Sequence, residues 1–258
     1  NPDTAFSAPY GMTTVGSYAT YANLHMKTYG TTSEQLAEIA VTMRQHATLN
    51  PLAKMRNPIT IDDVLTSRMI SRPLHLLDCC IISDGGGAVV VTSLDHARDL
   101  RKKPVQILGC GEAVQHQGVG YSDILSIAAK QSGAKALQMA GVQHSDIDLA
   151  MIYDSFTITV LATLENLGFC PVGEGGDFVA NGGISLQGSL PVNPDGGGLS
   201  SNHPGMRGIF LVIEAVKQLR NECDARQVPN AEVALAHGTG GTIGDKHSGA
   251  TLILGVDR

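Results

Sequence analysis

Four short apolar runs, each of strand length and none with the alternation of a half-exposed sheet, constrain this chain most. They are Val105-Gln106-Ile107-Leu108-Gly109, Ile147 to Ile152, Glu232 to Ala236 and Ala250 to Leu254. Continuous apolar runs of this length suit strands buried on both faces, which need helices above and below them. Ala88-Val89-Val90-Val91-Thr92 reads as a fifth such strand. Helical spacing fills the intervals. Thr31-Thr32-Ser33-Glu34 has capping-box spacing ahead of Leu36, Ile39, Ala40, Met43 and Ala47, and the pattern stops before Asn50-Pro51. Thr60-Ile61-Asp62-Asp63 offers a second cap, and Leu94 to Leu100 a short helix. Ser132 is placed as the cap of a small-residue helix closed by Gly141, and Phe156 to Leu167 forms a helix ending at Gly168. The longest helix is expected to carry Met206, Ile209, Phe210, Ile213, Val216 and Leu219. These elements define a layered α/β fold with a mixed sheet.

The 258 residues carry 18 Lys and Arg against 24 Asp and Glu, a net charge of −6, which argues against a nucleic-acid-binding role. No run is long enough to span a membrane. Five cysteines, none in a C-x-x-C pair, argue against a disulfide framework or zinc ribbon and for a reducing compartment, the cytoplasm.

Three polar, glycine-rich segments sit where sites on α/β sheets lie. Tyr153-Asp154-Ser155-Phe156 opens a helix just past a strand; it serves either as an ordinary cap or, with Tyr153 facing a cleft, as a proton donor. Gly196-Gly197-Gly198 through His203-Pro204-Gly205 precedes the last long helix, and its glycines allow close backbone approach to a ligand. His237-Gly238-Thr239-Gly240-Gly241 is read as the connection between the two final strands. His237, Asp245 and His247 share that region, but their spacing matches no established zinc pattern, so no metal and no bound cofactor is expected.

Together with Asp84-Gly85-Gly86-Gly87-Ala88, Tyr29 to Ala37 and Glu165 to Phe169, these segments resemble thiolases, above all the lipid-transfer-protein (sterol-carrier-type) thiolases often labelled acetyl-CoA acetyltransferases. The resemblance implies a thiolase-like αβαβα layering with mixed sheets. Residues 1–117 would be the end of the first thiolase half with a loop or lid region, and 118–258 the second half, with the family's nucleophilic cysteine upstream of this chain. It further implies a coenzyme A thioester substrate, a homodimer and a partner subunit with an OB fold. Carried over residue by residue, His203, Tyr153 and His237 are the catalytic candidates. Thr239, Gly240 and Gly205 are candidate oxyanion or substrate-binding positions. His237 stands where thiolases have a second cysteine that moves an α-proton, and imidazole can also transfer protons near neutral pH. The Tyr at position 153 resembles the thiolase-like aldolases that shorten steroid side chains. Three functions follow: Claisen-type acyl transfer, retro-aldol cleavage of a 3-hydroxyacyl-CoA, or a non-catalytic acyl-CoA or lipid-binding subunit.

Overall fold

The computed structural model describes Pro9 and residues 13–116, 123–244 and 246–257. The expected boundary at residues 117 and 118, and Asp245 of the metal reading, lie outside the described residues. A four-stranded mixed sheet forms the centre. Its strands are β3 (Val105–His116), β4 (Leu149–Ile152), β5 (Val233–Gly241) and β6 (Lys246–Val256), in the order β3-β6-β5-β4. β4 runs parallel to β5, and the other pairs are antiparallel. A small two-stranded sheet, β1 (Met69–Ser71) with β2 (Leu74–His75), stands apart from it.

Helices cover both faces. Residues 150, 152 and 235 join one core with α5 (Ala129–Ala140), α6 (Thr157–Leu167), α1 (Thr14–Tyr29) and α2 (Ser33–Thr48). Residues 149, 151, 234 and 236 join the other, which packs on α8 (Gly208–Leu219). Strand alternation therefore sorts the sheet into an α5–α6 face and an α8 face. Three shorter helices complete the fold: α3 (Ile61–Thr66), α4 (Leu94–Arg98) and α7 (Gly175–Ala180).

Local chemistry accounts for most boundaries. Thr32 and Gln35 form a reciprocal capping box on α2, and Thr60 with Asp63 does the same on α3. Gly141 and Gly168 close α5 and α6 in the left-handed conformation.

Five expectations change. Residues 88–92 form no strand: among the described residues no strand pairs with them, and Val90 and Val91 are exposed. Ser132 lies inside α5, buried, and its hydroxyl bonds Thr251 on β6 rather than the helix start. The longest helices are α1 and α2 at 16 residues each, whereas α8 has 12 and excludes Met206, which is exposed. Segment 237–241 is the second half of β5 rather than a connecting loop. The sequence, with Cys79 and Cys80 just ahead of the Val-rich run, places both in the core; the structure leaves them half-buried in the segment that borders the site described below.

Candidate active site

The site starts at the end of β4. The side-chain amide of Asn193 takes both backbone groups of Ile152, accepting from its N–H at 2.7 Å and donating to its carbonyl at 2.7 Å. The next residue, Tyr153, donates its backbone N–H to the His237 carbonyl at 2.9 Å, so its Cα is fixed to the sheet. Its side chain turns to the α8 face. There its hydroxyl lies 2.9 Å from His203 Nε2, with ring centroids 5.3 Å apart.

His203 arrives on the loop that leads into α8. Gly196 and Gly197 hold φ of 97° and 66°, values that only glycine adopts freely, and the chain makes one wide turn over 197–201. The buried Asp154 carboxylate accepts from the N–H of Gly198 at 2.6 Å and of Leu199 at 3.1 Å. Asp154 is thus a cap for the glycine loop and leaves the start of α6 without a side-chain cap. The segment from Cys79 to Ser83 crosses over the loop pair. Cys80 N–H donates to Ser155 O at 2.9 Å, Ile81 N–H to Gly198 O at 3.0 Å, and Ser83 Oγ accepts from His203 N–H at 2.9 Å.

Arg207 has its side chain fully buried behind this arrangement. Its guanidinium donates to Asp154 at 3.2 Å, to Asp195 at 3.2 Å, and to both the carbonyl and the side-chain oxygen of Asn202 at 2.9 and 3.1 Å. An arginine just ahead of a helix N-terminus opposes the helix dipole, and two carboxylates offset that here. That misfit of charge is the sequence signal that points to Arg207, Asp154 and Asp195 as a unit; none of them stands among the expected site residues.

Burial pushes the Tyr153 hydroxyl up to about 12, with a smaller push from Cys80. Burial, and then the Arg207 charge, hold His203 below its ordinary value. At neutral pH the pair is therefore a protonated phenol in hydrogen-bond contact with a neutral imidazole. Cys80, in the crossing segment, is pushed up to about 11 by burial, and Cys79 and Cys170 to about 12, so these three are thiols and not nucleophilic thiolates.

The other expected residues do not converge on the pair. His237 points to the α5–α6 face, where its Nδ1 meets Thr251 Oγ1 at 2.8 Å and its ring packs near Gly249 and Ala128. It is fully buried, and burial holds it down to about 3, with His247 adding to the shift. Strand alternation gives Thr239 the same face as His237. Gly240 neighbours Ser248 within the β5–β6 hairpin, whereas Gly205 stands open, two residues from His203. Among the described residues no group of three or more His, Cys, Asp or Glu side chains is placed to hold a metal ion.

A mixed sheet with helices on both faces, and a glycine-rich loop carrying His-Pro-Gly against the end of a strand, is the second half of a thiolase. Residues 111–256 match the family model described as thiolase C-terminal domain-like. The chain belongs to the thiolase family. An acetyl-CoA acetyltransferase of Methanothermobacter thermautotrophicus is 39% identical over 245 residues, covering 94% of this chain and 64% of its own. A steroid side-chain-cleaving aldolase of Thermomonospora curvata is 41% identical over 262 residues, covering 98% and 65%. The solved structure of the Ltp2-ChsH2(DUF35) aldolase superposes with a TM-score of 0.89 at 39% identity, over 100% of this chain and 68% of that one. The chain thus spans just under two thirds of the length of these curated relatives.

Proposed function

We propose that Tyr153 and His203 are the acid–base pair of an enzyme that makes or breaks a C–C bond next to a coenzyme A thioester. The observation that carries this reading is the 2.9 Å contact between the Tyr153 hydroxyl and His203 Nε2, in a half-buried position at the end of β4. A neutral imidazole backed by a phenol can take a proton from a substrate hydroxyl and return it to a carbanion. Two routes use such a pair. In Claisen-type acyl transfer an upstream cysteine carries the acyl group, and a second base must remove an α-proton. In retro-aldol cleavage the pair takes the hydroxyl proton of a 3-hydroxyacyl-CoA. The Cα–Cβ bond breaks, its electrons form the thioester enolate, and the proton returns to Cα, releasing a ketone or aldehyde. The placement of His237 on the far face of the sheet favours the second route, since retro-aldol cleavage needs no second base.

The name of the solved Ltp2-ChsH2(DUF35) aldolase joins two proteins in one enzyme, which supports a partner subunit for this chain; an OB fold for that partner and a homodimer are what the thiolase resemblance implies. Free cysteines at all five positions support the cytoplasm, and among the described residues no helix is long and apolar enough to cross a membrane.

The test gives the protein, with the upstream cysteine region and its partner subunit present, a 3-hydroxyacyl-CoA without free CoA, and separately a 3-ketoacyl-CoA with and without it. Retro-aldol cleavage releases carbonyl product in the first case and forms no acyl adduct; acyl transfer consumes the ketoacyl substrate only with CoA and follows ping-pong kinetics. Tyr153→Phe should abolish whichever activity appears. Turnover of neither substrate, with tight acyl-CoA binding retained, would make the chain a carrier and overturn the proposal.

A further inference from the structure

The two members of the pair come from different parts of the chain, 50 residues apart, and neither loop alone fixes their separation. One side chain touches the neighbours of both. Arg207 donates through Nε to Asp154, the residue after Tyr153, and through one terminal nitrogen to the carbonyl and side chain of Asn202, the residue before His203. Its other terminal nitrogen holds Asp195, whose Oδ1 in turn accepts from Gly197 N–H at 3.0 Å at the foot of the glycine loop. The guanidinium is planar and rigid, so three anchors held by one plane are held relative to each other. We infer that Arg207 is a positioning residue that sets the Tyr153–His203 contact by clamping Asp154, Asp195 and Asn202 in one plane. It hydrogen-bonds neither Tyr153 nor His203: its charge reaches His203 through space, while its hold on the geometry of the pair runs through their neighbours.

Packing leaves the clamp no slack. A Cβ at Gly198 would lie 2.7 Å from His203 Cδ2 and 3.1 Å from Arg207 Cδ, so the loop, the imidazole and the arginine stem are in contact along one line. A lysine at 207 keeps the charge but has one nitrogen, and it cannot reach Asp154, Asp195 and Asn202 together. Arg207→Lys therefore separates geometry from charge.

This inference rests on the acid–base reading of the pair, and the experiment keeps the two apart. The first arm needs no turnover: the imidazole nitrogen resonances of His203 are recorded by NMR with and without Tyr153→Phe, in the native and the Arg207→Lys backgrounds. Tyr153→Phe should move the Nε2 resonance in the native chain and leave it nearly unmoved in Arg207→Lys, where the contact is already lost. The second arm is the kinetic cycle over the same four proteins. Each single substitution should lower kcat by about 100-fold with KM changed less than about 2-fold, and the double variant should be no slower than the slower single. Should Arg207→Lys fail to fold, Asn202→Ala removes one anchor, and a smaller change in the same direction is expected. An undiminished resonance shift, or kcat losses that multiply in the double variant, would overturn the positioning role. Loss of the shift in Arg207→Lys, in a protein whose native form turns over neither substrate, would refute the function and leave the clamp standing.

Discussion

A methyl group at position 198 would reach the His203 ring, and this makes one glycine a sensitive probe of the site. Gly198→Ala should lower kcat by about 10-fold or more and cost about 1–3 kcal/mol of stability, the usual range for overpacking. Gly86, whose added Cβ would meet nothing within 4 Å, is the control: Gly86→Ala should change stability by less than about 0.5 kcal/mol. Equal effects at the two positions in urea titrations and rate assays would contradict the packing described. The pair also fixes a pH profile. His203 is held below its ordinary value and Tyr153 is pushed up to about 12, so the neutral imidazole is lost only as pH falls through the lowered His203 value. Plots of kcat/KM should be flat from about pH 7 to about 9, with an acid limb centred below about 6.5; a midpoint at or above that value would contradict the assignment. Tyr153 and His203 are legible in sequence because both lie in loops next to helix starts and strand ends. His237 is not, because three glycines in five residues read as a turn, and only pairing along β6 makes the segment strand and decides its face.

At the scale of elements, the β5–β6 hairpin is pinned to α5 by neutral histidines. His247 Nδ1 accepts the Ala128 N–H at 3.3 Å, and His237 bonds Thr251, which bonds Ser132 within α5. Burial lowers His237 to about 3 and His247 to about 4, while an unfolded chain would titrate both near 6.5. Depressed values mean that the stability they confer is complete above about pH 6.5 and drains away as pH falls toward about 4. Between about pH 6 and 5 the unfolded state binds up to about two more protons, a slope of up to about 3 kcal/mol per pH unit. His46, lowered by its own burial, adds in the same direction. Urea midpoints at about pH 7, 6 and 5 should follow this slope, and His237→Gln or His247→Gln should each remove about half of it; a midpoint independent of pH would refute neutral burial. The helices with capping boxes, α2 and α3, are legible in the amino-acid sequence because cap chemistry is local. α1 is not, since its apolar positions are tyrosines and alanines among serine and threonine, and packing on α6 decides it.

At the scale of the whole molecule, large apolar side chains stand exposed on a stretch without strand pairing: Ile82, Val90 and Val91 are 90%, 89% and 74% exposed. Strand formation is a pairing property, and a tract that looks like a buried strand in sequence stays open where no partner strand lies beside it. Exposed, unpaired segments of this kind template association. The 258-residue chain should bind hydrophobic dyes and self-associate with rising concentration, and Val90→Lys with Val91→Lys should remove both without moving the urea midpoint. Sedimentation of the double variant that matches the native chain would count against that account. Meanwhile Tyr153 gives its amide hydrogen to the His237 carbonyl of the central strand β5, and His203 gives its own to a serine hydroxyl on the half-buried crossing segment. The two halves of one site therefore keep different clocks. In deuterated water the Tyr153 amide should exchange only through global unfolding and the His203 amide through smaller local openings, so amide exchange would read the two members of the pair separately.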